Sequence, residues 1–452
     1  MFCVAFLYDW CVNFTSYFKG KKITVMGLGL LGRGVGDAEF LAECGADLIV
    51  TDLKTKEQLA DSVTKLEKYS NIKFVLGEHR KEDFENRDMI LVAAGVPQES
   101  EYLAHASKMG VRLVQSAALF VELSKIPVIA VTGTRGKSTV TAMIHHVLSS
   151  VTGEKIIKGG NVRGVSNLQL LKEVKGDSLA VLELDSWQLQ GFGWAGISPH
   201  VAVFTNFMED HMNYYGGNMD AYFADKANIF INQEESGVFI TTPEVFERAK
   251  KFATGKNITL GQEVVLVDAS TLPEDCLLAM PGEHNRLNAA LAYEACKATG
   301  LNDEEIFDAL ATFPGVEGRL QFLTEINGVK IYNDNNATTP QATVVGLEAL
   351  DSPNASYGHD KNIVLIVGGT DKGIAVGELP KAIARHCAHV VLYSGTGTEK
   401  LKAELSTDIS VEEHDTLAEC IKAALATSVP GNVILFSPGF SSFGNEYKNE
   451  YD

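Results

Sequence analysis

The stretch VIAVTGTRGKSTVTAMI, residues 128–144, decides how the rest of the chain is read. Val128–Val131 is a β-branched apolar run of strand type that passes directly into Gly133-Thr134-Arg135-Gly136-Lys137-Ser138-Thr139 and a helical stretch. A strand, a glycine loop and a helix in that order make a phosphate cradle. Backbone N–H groups and the helix N-terminus face the anion, Lys137 adds a point charge, and the Ser138 hydroxyl is placed to ligate Mg²⁺. The common spacing G-x-x-x-x-G-K-[ST] is not met, because the position five before Gly136 is Val131. The loop is therefore a short variant, and a long stretch of chain precedes it.

That preceding stretch has its own order. Lys22–Met26 reads as a buried strand, followed by Gly27-Leu28-Gly29-Leu30-Leu31-Gly32 and a helix to Cys44. Asp47–Thr51 is a second strand with Asp52 at its end. This is βαβ order, with an acidic residue about 20 positions past the glycines as in a dinucleotide fold, although a lone G-x-G-x-x-G equally serves as a bare strand–helix turn. Strands follow at Phe74–Leu76 and Met89–Ala93, and Ser124–Pro127 is a short connector. Beyond the phosphate loop, Leu179–Leu184 and Val201–Thr205 are strand candidates, and a helix runs from about Asn285 to Thr299. After the turn-rich residues 313–318 come Val329–Tyr332, Ile363–Val367, Val390–Tyr393 and Val433–Phe436. Each of these leads into Gly, Asp, Asn or Ser, where ligands of open parallel sheets bind.

The expected fold is α/β with three domains behind an N-terminal extension, residues 1–19. Residues 20–122 form a Rossmann-like domain, 123–314 a central P-loop ATPase-like parallel-sheet domain, and 315–452 a C-terminal Rossmann-like domain. The net charge of −19 argues against a nucleic-acid partner, since no basic excess offsets phosphates. Seven scattered cysteines without C-x-x-C spacing fit free thiols in a reducing compartment. The apolar start MFCVAFLYDWCVNFTSYF lacks a basic flank, carries Asp9, and falls short of the roughly 20 residues of a membrane span. The expectation is a cytoplasmic protein without stable membrane insertion.

Three residues beyond the loop bear on chemistry. Glu183 lies in the apolar run VLELDSWQL, where a carboxylate requires an ion pair or a cation. His211 follows Glu209 and Asp210 past a strand end, and is either packed and hydrogen-bonded or a ligand. Lys226, on a helix beside aromatics, reads from its residues alone as a surface lysine with its stem laid along apolar neighbours.

Taken together, VTGTRGKST, VLELDSWQL, TNFMEDHMNYYGGNMDAYFADKANIF, PGEHNRLNAALA and GRLQFL…IYNDNNATTPQAT resemble the Mur ligase family, from Lys22 nearly to the end of the chain. The string Asn333–Pro340 most resembles the members that add D-glutamate. The family's own loop form, Thr-Gly-Thr-x-Gly-Lys-Ser/Thr, accounts for the missing glycine. The resemblance implies an ATP-dependent ligase joining D-glutamate to UDP-N-acetylmuramoyl-L-alanine in peptidoglycan precursor synthesis, acting as a monomer. It implies ATP phosphates on residues 133–139, with Asn285 and Asn288 beside the nucleotide and Arg319 and Asp334 clamping it. It implies two Mg²⁺ ions at Ser138, Glu183, His211 and a carbamylated Lys226. UDP-sugar contacts would come from Gly29, Leu30, Asp52 and Gly95, and from Asn161, Asp185 and His211. D-glutamate would be held by Thr338, Lys372 and Ser442. Asp185 stands where many relatives have Ser, and Asn336 where many have Lys. The chain also stops soon after Ser442, where the family usually continues through another helix. Other ligases of the family, a folylpolyglutamate-type ligase, and a catalytically impaired nucleotide-binding protein are the competing readings. An NAD-dependent oxidoreductase would rest on the first glycine loop and Asp52 alone.

Overall fold

The computed structural model describes residues 14–29, 32–274, 276, 278, 280–350, 361–371 and 373–441. Leu30, Lys372 and Ser442 lie outside these, as does the apolar run before Phe14. The chain forms two compact units, one of residues 1–271 with 288–309 and one of 272–287 with 310–452.

The first unit carries two parallel sheets. One is built from β1 (Lys22–Met26), β2 (Asp47–Asp52), β3 (Ile72–Leu76), β4 (Met89–Val92) and β5 (Arg112–Val114), in the order β3-β2-β1-β4-β5. Helices α1 (Phe14–Phe18), α2 (Arg33–Glu43), α3 (Ala60–Leu66), α4 (Glu101–Lys108) and α5 (Ser116–Ser124) accompany it. The other contains β6 (Val128–Thr132), β7 (Ile156–Gly160), β8 (Leu179–Glu183), β9 (Val201–Phe204), β10 (Val238–Thr241) and β11 (Glu263–Leu266). Its order is β11-β10-β9-β6-β8-β7, so the strand feeding the phosphate loop lies between β9 and β8. Its helices are α6 (Lys137–Val151), α7 (Ser186–Ala195), α8 (Met219–Ala227) and α9 (Pro243–Gly255), and the unit also takes in residues 288–297 of α10 (Glu283–Lys297) and 303–309 of α11 (Asp303–Ala311).

Both faces of a parallel sheet are covered by helices, so its central strands read as unbroken apolar runs. β6 and β8 are buried at every position. One continuous core joins the two sheets, running from Phe18, Phe40 and Leu48 through Phe120 to Leu182, Phe192 and Phe204. Residues 14–18 of the expected N-terminal extension belong to it: Phe18 is fully buried, with its ring edge-on to Phe40 at 5.9 Å.

The second unit carries β12 (Gln321–Ile326), β13 (Val329–Asn333), β14 (Ile363–Gly368), β15 (Cys387–Tyr393), β16 (Val411–His414) and β17 (Val433–Phe436). Their order is β12-β13-β17-β14-β15-β16, parallel except for β12 against β13. Helices α12 (Pro340–Leu350), α13 (Leu379–His386) and α14 (Thr396–Lys402) pack with α15 (Leu417–Thr427) around it. Among the described residues no helix is long and apolar enough to cross a membrane.

Candidate active site

β6 delivers its loop at the carboxyl edge of the sheet, and three features fix the loop's shape. Gly133 (φ 147°) approaches Thr205 so closely that any Cβ would overlap the Thr205 Oγ1. Gly136 sits in the left-handed region (φ 80°), and a Cβ there would lie 2.5 Å from Asn288 Oδ1. Both positions therefore require glycine. The segment after β9 laces the loop in place. Thr205 Oγ1 donates to the Arg135 carbonyl (2.5 Å), the Arg135 N–H donates to Asn206 Oδ1 (2.9 Å), and the Thr134 N–H donates to the Asn206 carbonyl (3.0 Å). Lys137 opens α6 and arches over the loop, its amine donating to the carbonyls of Gly133 (3.1 Å) and Thr134 (3.0 Å).

Residues from adjoining strands converge on this loop. Glu183 ends β8 in register with Val131 of β6, is 8% exposed, and has no protein partner for its carboxylate among the described residues. His211, beyond β9, holds a left-handed backbone (φ 55°), and its ring lies tilted against Trp187 with centroids 4.8 Å apart. Burial lowers its pKa against the pull of Asp210, and the Lys137 charge acts in the same direction as burial, which favours the neutral ring. Its Nε2 lies 3.7 Å from Asp210 Oδ2. Ser138 and Thr139 occupy the first turn of α6.

Lys226 corrects the surface-lysine reading. It is 1% exposed, because α8 turns Tyr222, Phe223 and Lys226 inward together. Its amine donates to the Gly133 carbonyl (2.8 Å) and Thr132 Oγ1 (3.4 Å) and lies over the Tyr222 ring. Burial, followed by the charge of Lys137, drives its pKa well below the ordinary lysine range, against the pull of Asp185, Asp210 and Asp225. A lowered pKa favours the neutral, nucleophilic form of the amine, which carbamate formation with CO₂ requires. Among the described residues no group of three or more His, Cys, Asp and Glu is arranged to hold a metal ion by itself. Mg²⁺ keeps several waters and leans on substrate phosphates, so one or two protein oxygens suffice, and the unpartnered Glu183 carboxylate fits that need.

The other expected site residues fall as follows. Asp52 is buried, and its carboxylate accepts the N–H groups of Leu28 (2.9 Å), Gly29 (3.2 Å) and Lys54 (2.9 Å), so it shapes the first glycine loop. Beside that loop lies a cavity of about 190 Å³, lined by Gly27, Leu28, Gly29, Arg33, Asp37 and Gln188 among others. Gly95 (φ 90°) lies against Trp187. Asn161 receives the Arg33 guanidinium on its side-chain oxygen at 2.6 Å. Asp185 caps α7, accepting the Gln188 N–H (2.8 Å) in a reciprocal capping box.

In the second unit, Asp334 is buried, with its oxygens on the Leu320 N–H (3.1 Å) and the Ser437 hydroxyl (2.9 Å). Arg319 is exposed, two residues before β12. Asn336 donates from its side chain to the Glu317 carbonyl (3.1 Å), which gives the departure from Lys a structural use. Thr338 is half-buried just before α12, and Asn285 donates to the Pro281 carbonyl (2.7 Å). Sequence reading missed Arg33, Trp187, Gln98 and Asp225. Arg33 alone carried a signal, as the first residue after the glycine loop.

Fold and loop define a nucleotide-binding class of α/β protein, with its phosphate-loop motif at the carboxyl edge of a parallel sheet. Residues 21–115 match the Mur ligase MurD-like N-terminal domain, 131–296 the Mur ligase middle domain, and 318–440 the Mur ligase glutamate ligase domain. The UDP-N-acetylmuramoylalanine–D-glutamate ligase of Roseiflexus sp. (strain RS-1) is 35% identical over 96% of each chain. The protein of that name from Borreliella afzelii is 32% identical over the same shares. Among solved structures, the UDP-N-acetylmuramate–alanine ligase of Thermotoga maritima superposes with a TM-score of 0.58 at 20% identity, covering 93% of this chain and 96% of that one. The MurF ligase of the same organism, in complex with ADP, gives 0.57 at 18% identity, covering 94% and 92%. The chain belongs to the Mur ligase family.

Proposed function

We propose that this chain is an ATP-dependent amide ligase that adds D-glutamate to UDP-N-acetylmuramoyl-L-alanine, a step of cytoplasmic peptidoglycan precursor synthesis, and that it works as a monomer. The observation that carries the reading is the gathering of Lys137, Glu183, His211 and Lys226 at one sheet edge, in a chain so similar along its length to ligases of that name.

In this reading residues 20–122 hold the UDP-sugar, 123–314 the ATP, and 315–452 the amino acid. The L-alanine carboxylate attacks the γ-phosphorus, ADP leaves, and an acyl phosphate forms. The D-glutamate nitrogen then attacks the acyl carbon and loses a proton, the C–N bond forms, and inorganic phosphate leaves. The loop N–H groups of residues 136–139 and the Lys137 ammonium bind the phosphates and stabilise negative charge on the transferring group. Arg135, the most exposed residue of the loop, lends a second cation. Mg²⁺, when bound, supplies further charge neutralisation, and Ser138, Glu183, His211 and a carbamylated Lys226 would hold two ions. Asn285, Asn288, Arg319 and Asp334 would flank the nucleotide. Gly29, Leu30, Asp52, Gly95, Asn161 and Asp185 would line the sugar-nucleotide path. Thr338, Lys372 and Ser442 would take the D-glutamate carboxylates.

The test is phosphate release across a panel of amino acids and UDP-sugars. Turnover should require both UDP-N-acetylmuramoyl-L-alanine and D-glutamate, and Lys137→Ala should abolish it. Turnover driven by L-glutamate or a folate would sink the specificity, and hydride transfer to NAD without ATP turnover would sink the class.

A further inference from the structure

We propose that Asp225 is a positioning residue: one carboxylate clasps the His211-bearing segment 211–217, α7 and the loop after β4 to the helix that carries Lys226. The proposal rests on the ligase reading for its kinetic consequences, but the clasp itself is a property of the fold.

Asp225 accepts three side-chain hydrogen bonds from three separate places in the chain. Its Oδ2 takes the Gln190 Nε2 of α7 at 2.8 Å and the Tyr215 hydroxyl at 2.9 Å. Its Oδ1 takes the Gln98 Nε2 at 3.2 Å, from the loop beginning at Gly95. Hydrogen bonds to a carboxylate are shorter and stronger than neutral ones, and a carboxylate has about four acceptor sites to share among donors. The Gln98 backbone also reaches the Tyr214 hydroxyl, which Gln190 Nε2 meets at 3.3 Å, so the same partners hold two adjacent tyrosines.

The segment so anchored matters because of what it carries. Residues 211–217 fold as a tight turn, with the N–H groups of Tyr214 and Tyr215 on the His211 carbonyl (2.9 and 3.2 Å) and Gly217 on Met212 (2.9 Å). His211 holds a left-handed backbone that is strained for a non-glycine residue and persists only where its surroundings fix it. Tyr215 is the side chain that hydrogen-bonds this turn to α8. Neighbouring residues on a helix point to different sides. With Asp225 held on the turn and on α7, Lys226 is aimed at the Gly133 carbonyl. The rotation of α8, the pose of His211 and the approach of the Gly95 loop are thereby set by one group.

Amide hydrogen exchange and steady-state kinetics on the full chain test the clasp. Asp225→Ala should speed exchange across 211–217 by about tenfold, the effect of one charge-assisted hydrogen bond, and should lower kcat. Asp225→Asn, which keeps an oxygen for Tyr215, should recover most of that protection and turnover. Gln98→Ala should raise KM for UDP-N-acetylmuramoyl-L-alanine severalfold while leaving KM for ATP and protection at 211–217 unchanged. Asp220→Ala, on the same helix but paired at the surface with Arg248, serves as the control that changes neither.

The proposal is overturned if Asp225→Ala keeps full protection at 211–217. It is equally overturned if protection falls uniformly through α7, α8 and the turn with every KM unchanged, since that marks a group that only stabilises the fold. A wild-type chain that fails to turn over these substrates sinks the ligase reading instead, and the exchange data still decide the clasp.

Discussion

Asp334 shows how a single buried carboxylate trades stability for placement. Burial pushes its pKa up to about 6, against the pull of Ser437, the Leu320 N–H and Arg319. An acid whose folded pKa exceeds its unfolded value of 3.8 binds protons more tightly when folded. Its contribution to stability is therefore greatest below pH 4, declines as pH rises from about 4 to about 6, and stays low above that. A rise of about 2 units corresponds to about 3 kcal/mol at most. Asparagine keeps an oxygen for Leu320 and offers an N–H to Ser437, and it does not titrate. Asp334→Asn should therefore raise the urea midpoint of unfolding at pH 7.5 and flatten its decline between pH 4 and 6. If Asp334 also serves the nucleotide, as proposed, the same variant binds ATP less tightly. Unfolding curves at pH 4.5 and 7.5, with and without ATP, check both halves.

Among the elements, α7 explains a residue that looked like a departure. Asp185 begins the helix with its side chain on the Gln188 N–H, and Gln188 answers at the Asp185 N–H (3.4 Å). Asp and Ser are comparable N-caps, so the Ser of many relatives would do the same structural job. Asp185→Ser should leave thermal stability within a few tenths of a kcal/mol, while Asp185→Ala should cost about 1 kcal/mol. Thermal melts of the two variants read the difference.

The strands β1, β2, β6, β8, β9, β14 and β17 were legible because burial on both faces demands continuous apolar runs. β12 was not, since five of its six residues are exposed and it pairs antiparallel at an edge, where no apolar pattern is required. β7 hid behind its terminal glycines, Gly159 and Gly160, which ordinarily mark a turn. At the site, glycine spacing made the loop legible. The depth of Lys226 and the clasp at Asp225 were not, because each depends on which face of α8 turns inward, and a nine-residue helix of mixed character does not announce that.

For the whole molecule, the residues proposed to stabilise phosphoryl transfer and a residue proposed to hold the amino acid fall in different units of the chain. The phosphate loop with Lys137, Glu183, His211 and Lys226 belongs to the first unit, and Thr338 to the second. In the proposed reaction, phosphoryl transfer to the L-alanine carboxylate would draw on the first set, while capture of the acyl phosphate by D-glutamate would draw on Thr338. An acyl phosphate is also open to hydroxylamine, which gives a hydroxamate in place of the amide. With ATP and UDP-N-acetylmuramoyl-L-alanine but no D-glutamate, the wild-type chain should therefore yield the hydroxamate. Thr338→Ala should keep most of that yield while its KM for D-glutamate rises by about tenfold, the worth of one hydrogen bond to a carboxylate. Lys137→Ala should lose hydroxamate and amide together, because no acyl phosphate forms without charge stabilisation on the transferring group. Equal loss of hydroxamate in both variants would mean that Thr338 acts in the first half-reaction, and its assignment to the amino acid would fall.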